Sequence, residues 1–85
     1  MKTFTYQIQD PIGIHARPAG QLVKLASGFT SKIIISCGDR QTDITHLMSL
    51  MGMGITHGEV ITITVEGADE QAAANAIQTF LQESL

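Results

Sequence analysis

Cysteine is almost missing from this sequence: Cys37 is the only one in 85 residues. A lone thiol cannot form an internal disulfide, which excludes a cross-linked secreted mini-protein. Long apolar runs are missing too, and nothing approaches the roughly 20 residues needed to cross a bilayer. The opening segment MKTFTYQIQD alternates polar and apolar residues, without the continuous apolar stretch of a signal peptide. Positive charge is scarce: five Lys+Arg against eight Asp+Glu leave a net charge of −3. That balance argues against a nucleic-acid binder relying on a general positive field, while leaving room for a small cationic site. There is no Gly-rich nucleotide loop and no pair of carboxylates at a helical spacing within a predicted helix. His15, His46 and His57 lack compact metal-ligand spacing, so no zinc site is expected. A soluble cytosolic chain without metal or cofactor is the expectation.

Hydrophobic residues make up 44% and charged residues 15%, the composition of a packed globule rather than a disordered chain. A chain this short buries only about 60–65% of its unfolded surface, so a single domain over residues 1–85 is expected. Phe4, Tyr6 and Ile8 alternate with Thr3, Thr5, Gln7 and Gln9, which predicts a strand with one buried face. Asp10-Pro11-Ile12-Gly13 then breaks the pattern with turn chemistry. Ala19, Leu22, Val23 and Ala26 recur at helical spacing, predicting a helix over 16–27 with Gly28 as its C-cap.

Lys32 to Cys37 is β-branched and compact, hence a strand. Gly38-Asp39 forms a turn, and Arg40 to Ile44 returns as a shorter strand. Thr45 to Met53 has room for only a short helix, limited by Gly52 and Gly54. Val60 to Glu66 is another strand. Asp69 is the expected N-cap of a final helix carrying Ala73, Ala76, Ile77, Phe80 and Leu81 on one face. The order β-α-β-β-α-β-α, with one-sided helices and half-buried strands, predicts an α+β open-faced sandwich: an antiparallel sheet with three helices on one face.

The segment that carries chemistry is Gly13-Ile14-His15-Ala16-Arg17-Pro18-Ala19. His15 stands between a glycine turn and a helix start, and Pro18 lies in the first turn, where its missing N–H costs no helical bond. The free N–H groups of that turn and the helix dipole make an anion site beside the imidazole, at Ala16, Arg17 and Pro18. Arg17 adds a guanidinium able to hold phosphate oxygens in a bidentate manner. A neutral imidazole in this setting can accept a phosphoryl group, and phosphoryl transfer asks little of a protein beyond positioning and electrostatics. Taken alone, the bare H-x-R-P pattern favours a plainer reading: a capping or surface histidine and a solvated arginine.

The wider context changes that balance. G-I-H-A-R-P-A at residues 13–19, together with the element order and chain length, closely resembles the HPr family, the histidine-containing phosphocarriers of the bacterial phosphotransferase system. The resemblance extends to Gly28-Phe29, Met53-Gly54-Ile55, Gly58 and the run Glu66 to Glu70, so it covers essentially the whole chain. It implies a four-stranded sheet of order 1-4-2-3. It also implies a carrier with a covalent phosphohistidine rather than a self-sufficient enzyme. In the family, enzyme I passes phosphate from phosphoenolpyruvate to Nδ1 of the active histidine, here His15. Enzyme IIA domains then receive it, with Arg17 holding the phosphoryl oxygens.

Leu47, Met48, Leu50, Met51, Met53 and Ile55 are too many apolar side chains for a short helix to bury on one side. Leu50 and Met53 are the expected core members, leaving Leu47, Met48 and Met51 as an adaptable exposed face. HPr-like proteins dock partners with this helix and the first one, where Gly20, Lys24 and Ser27 are the corresponding positions. Two residues depart from the family pattern. His46 stands where many relatives carry a kinase-regulated serine; it reads as a helix cap or solvated side chain, with a pH-sensitive docking contact as the second reading. Ile12 replaces a small polar residue before the glycine. His57 reads as ordinary surface and Cys37 as a small hydrophobe. A monomeric carrier is expected. The alternatives are a regulatory binding module of the same fold, a generic α+β interaction domain, a domain cut from a larger phosphotransferase, and a dedicated paralogue.

Overall fold

The computed structural model describes residues 1–85. Strand β1 (Lys2–Gln7) is followed by helix α1 (Ala16–Ser27), strands β2 (Lys32–Cys37) and β3 (Arg40–Asp43), helix α2 (Leu47–Gly52), strand β4 (Val60–Glu66) and helix α3 (Glu70–Ser84). The strands form one antiparallel sheet of order β1-β4-β2-β3. This is the topology that the family resemblance implies.

Period-two alternation gives the sheet one dry face. Ile35 pairs with Ile63 and Ile33 with Val65 across β2 and β4, while Phe4 and Tyr6 of β1 face Ile63 and Ile61. Residues opposite one another in a ladder point the same way, so these side chains form one apolar layer. The other face carries Thr3, Thr5, Thr62, Thr64 and Ser36. Helices cover the dry side: α1 buries Pro18, Ala19, Leu22 and Ala26, α2 buries Leu50, and α3 buries Ala73, Ala74, Ile77 and Leu81. Each fully buried Ile or Leu contributes about 1.5–3 kcal/mol of transfer free energy.

Several local expectations are refined. Ile44 lies one residue past β3, yet its N–H still donates to Ile33 O at 2.9 Å and its side chain is fully buried. The Gly38-Asp39 turn links the facing residues Cys37 and Arg40, with Gly38 at φ +63°, as a type II′ hairpin turn requires at its first central position. Gly28 ends α1 in the right-handed region (φ −78°), through 3₁₀-type bonds from Gly28 N–H to Leu25 O and from Phe29 N–H to Ala26 O, rather than as a left-handed cap. On α3, Ala74 is buried, whereas Ala76 and Phe80 lie at the margin of the apolar face.

Asp69 occupies the N-cap of α3, but its side chain does not cap the helix. Its carboxylate accepts hydrogen bonds from Thr30 N–H (2.8 Å), Ser31 N–H (2.9 Å) and the Ser31 hydroxyl. The carboxylate thereby ties the α1–β2 turn to the start of α3. The Ser31 hydroxyl, followed by the Thr30 N–H, lowers the Asp69 pKa to about 2. A pKa depressed in the folded state adds stability above the ordinary aspartate range, and this is lost as pH falls through the folded value. Unfolding midpoints in urea should therefore drop between about pH 4 and pH 2. Asp69→Asn should lower stability at neutral pH and flatten that acid slope; an unchanged slope would remove Asp69 from the account.

Candidate functional site

The loop joining β1 to α1 is held at both ends. Gln9 and Asp10 N–H donate to the Leu85 backbone oxygen at 2.6 and 2.8 Å. Asp10 then closes a tight turn twice over: its Oδ1 accepts Ile12 N–H at 2.8 Å and its backbone oxygen accepts Gly13 N–H at 3.0 Å. At Gly13 the chain adopts φ +87°, and a Cβ there would lie 2.6 Å from Thr56 Cα and nearer still to Ile55 O. Only glycine permits both the dihedral and the approach. Ile14, buried, donates its N–H to Ile55 O at 3.0 Å.

His15 follows in an extended conformation (φ −113°, ψ −177°) as the N-cap residue of α1, and its oxygen accepts the Ala19 N–H at 2.9 Å. Its ring makes no capping bond and keeps 38% of its side-chain surface exposed. The imidazole is thus presented at the positive end of the helix rather than consumed by capping. Ala16 and Arg17 N–H donate to no acceptor in the chain, and the exposed Arg17 guanidinium has no ion pair or hydrogen bond. Pro18 is buried and has no N–H, so only Ala16 and Arg17 of this trio present backbone donors. The arrangement lies on an open surface, since the structure has no ligand-sized pocket.

The segment that receives Gly13 and Ile14 is itself fixed by charge. Arg40 donates from Nη1 to Met53 O, from Nη2 to Glu59 Oε2 at 2.6 Å and from Nε to Cys37 O at 3.3 Å. Glu59 Oε1 accepts Thr56 N–H at 2.8 Å, and the Cys37 thiol lies 3.3 Å from Oε2. The Thr56 N–H first, and Arg40 next, lower the Glu59 pKa to about 2. Burial first, then Glu59, pushes the Cys37 thiol up, so Cys37 acts as a core side chain rather than a reactive thiolate. Residues 58–59 also join the end of β1, through Gly58 N–H to Ile8 O (2.8 Å) and Ile8 N–H to Glu59 O (2.9 Å).

Beside the histidine, α1 and α2 pack against each other. Leu50 and Met53 are buried; Leu47, Met51 and especially Met48, at 78%, are exposed. Gly20, Lys24 and Ser27, at spacings of four and three, share one stripe of α1. A side chain at Gly20 would meet nothing within 4 Å, and the Ser27 hydroxyl donates back to Val23 O at 2.8 Å. His46 is the N-cap residue of α2 through its backbone, with Leu50 N–H donating to His46 O at 2.9 Å, while its exposed ring makes no capping bond. Ile12 and His57 are exposed.

Comparison with known proteins agrees with this geometry. The sequence model of the family described as PTS HPr component phosphorylation site matches residues 2–83. Phosphocarrier protein HPr of Lysinibacillus sphaericus is 40% identical over 83 residues, 98% of this chain and 94% of that protein. A solved histidine-containing phosphocarrier protein from Mycoplasma superposes with a TM-score of 0.95 at 37% identity, over 98% of this chain and 94% of the other. The structure of an HPr dimer from Thermoanaerobacter tengcongensis matches at a TM-score of 0.77 and 32% identity, over 98% and 95% of the two chains. Fold and sequence define a phosphocarrier of the phosphotransferase system. The chain belongs to the HPr family, and its exchange partners are proteins of that system.

Three side chains that organise the site escape a reading by sequence pattern. Asp10 reads as a turn residue, although its Oδ1 lies 4.0 Å from His15 Nε2. Arg40 reads as a strand start and Glu59 precedes a strand without any signal of its own, and only the fold brings them together. The D-P-I-G spacing is the one available signal, because an aspartate three residues before glycine favours a side-chain-closed turn. Gly13→Ala should destabilise the fold by about 1–3 kcal/mol, lowering the melting temperature by at least about 4 °C. Calorimetry showing no change would contradict the close packing of this loop.

Proposed function

We propose that His15 is the phosphoryl acceptor of this carrier, taking the group on Nδ1 from phosphorylated enzyme I and giving it to an enzyme IIA domain. The observation that carries the reading is a half-exposed imidazole at the start of α1, beside two uncommitted backbone N–H groups and an unpaired arginine. In the transfer, the Nδ1 lone pair forms the new N–P bond while the donor's bond to phosphorus breaks and its electron pair stays with the donor. The phosphoryl oxygens then lie within the positive field of the helix terminus, where Ala16 and Arg17 N–H can donate to them and the guanidinium can follow their charge. The open setting favours exchange with another protein over capture of a small molecule, since small-ligand sites are concave.

Leu47, Met48 and Met51, with Gly20, Lys24 and Ser27, form the docking surface in this reading. Flexible methionines repack against unlike partners, as a carrier that meets both a donor and an acceptor requires. The chain acts in the cytoplasm as a single monomeric carrier domain over 1–85; the family's function in a cytoplasmic relay supports the first, and a buried core complete within one copy supports the second.

Two variants test the reading. His15→Ala should abolish acid-labile phosphorylation by enzyme I and phosphoenolpyruvate while the circular dichroism spectrum stays unchanged. Arg17→Ala should keep the fold and slow transfer by about ten- to a hundredfold, the loss expected for about 1.5–3 kcal/mol of charge-assisted hydrogen bonding. An unchanged rate would remove Arg17 from the mechanism, and sedimentation as a dimer at micromolar concentration would overturn the monomer.

A further inference from the structure

We infer that Asp10 is a positioning residue for His15, fixing the ring with its proton on Nε2 so that Nδ1 is the free nucleophile; this rests on His15 being the acceptor. The carboxylate oxygen nearest the ring, Oδ1, lies 4.0 Å from Nε2, and no other charged partner lies within ion-pair range of the imidazole. Asp10 is not a freely moving surface carboxylate. Its Oδ1 is anchored by Ile12 N–H at 2.8 Å, its own N–H by the Leu85 oxygen at 2.8 Å, and its carbonyl by Gly13 N–H at 3.0 Å. The group is held on one side of the ring by the same turn that delivers His15 to the helix.

The chemical consequence follows from imidazole's two nitrogens. In the neutral ring one nitrogen carries the proton and the other the lone pair, and the surroundings of the first decide which. A carboxylate facing Nε2 favours the proton there and leaves the lone pair on Nδ1. When Nδ1 forms its bond to phosphorus, Nε2 keeps its proton and positive charge develops on the ring. That charge arises beside Asp10, so the carboxylate favours the phosphorylated ring as well as the tautomer that receives the group. The contact is partly exposed, so its effect is modest and screened by salt. The other side of the site is cationic: Arg17 and the helix terminus handle the phosphoryl oxygens, and Asp10 handles the ring.

Asp10→Asn and Asp10→Ala separate this role from the turn. Asparagine keeps an acceptor for Ile12 N–H and removes the charge; alanine removes both. Long-range proton–nitrogen correlation spectra of nitrogen-labelled protein, at about pH 9 where an ordinary imidazole is neutral, report the tautomer of each histidine. The exposed His57 serves as an internal reference. In the wild-type protein the Nε2–H share of His15 should exceed that of His57, and in both variants the ratio of tautomers should fall by up to about fivefold toward the reference. Phosphorylation by enzyme I should slow in Asp10→Asn by a similar factor. A His15 tautomer ratio in Asp10→Asn equal to wild type overturns the inference, including the case in which only Asp10→Ala changes it. If instead the ratio shifts as expected but wild-type His15 takes no phosphoryl group, the ring-positioning role stands and the acceptor reading fails.

Discussion

Where the chain leaves β1, its course is set by the meeting of Gly13-Ile14 with Ile55-Thr56. Ile14 N–H finds Ile55 O, and Gly13 lies so close to that backbone that no side chain fits between them. A buried N–H needs such a partner, and a loop that needs glycine at one position has little freedom to slide. The imidazole of His15 is delivered one residue later, at the first turn of α1, with its backbone already engaged and its ring free. The positive end of the helix and the imidazole are thus brought together by a backbone contact one residue upstream of the ring.

That contact is stiffened from two directions. On one side the Leu85 oxygen and the Asp10 carboxylate close the loop that begins at β1. On the other, Arg40 and Glu59 hold the 53–59 segment at Met53 O and Thr56 N–H. Both supports depend on the sheet order, since β1 and β4 are neighbours and β3 brings Arg40 to Glu59 from the far side of β2. Packing adds to these supports: the buried residues of α1 and α3 share one apolar cluster with Ile33, Ile35, Ile61 and Ile63, so a shift of the helix that carries Arg17 would disturb a close-packed layer.

Element order, the buried face of each strand, and the division of the methionine-rich segment into buried and exposed members were legible in the sequence because each depends on local periodicity. The α3 face was read less closely: Ala74 is buried and Phe80 marginal, because three successive alanines give periodicity little contrast. Gly28 and Asp69 stand at the two cap positions that local rules assign them, but those rules do not settle what each residue does there: Gly28 closes α1 with right-handed dihedrals, and Ser31 claims the Asp69 carboxylate. At the site, the H-x-R-P residues announced themselves, whereas Asp10, Arg40 and Glu59 did not. The D-P-I-G spacing marks Asp10 as a turn residue but not its nearness to the His15 ring, and Arg40 and Glu59 meet across 19 residues of sequence, a relation that no spacing rule encodes. The sheet order likewise came from family resemblance, since periodicity is blind to which strands are neighbours.

The central claim is that this fold presents Nδ1 of His15, and no other nucleophile, to an incoming phosphoryl group. Phosphorus NMR with mass mapping, on protein incubated with enzyme I, Mg²⁺ and phosphoenolpyruvate, tests it most directly. The account predicts a single acid-labile group whose shift and coupling identify Nδ1 and whose peptide contains His15. A phosphoryl group on His46, His57 or a hydroxyl, or one attached at Nε2 of His15, would contradict it.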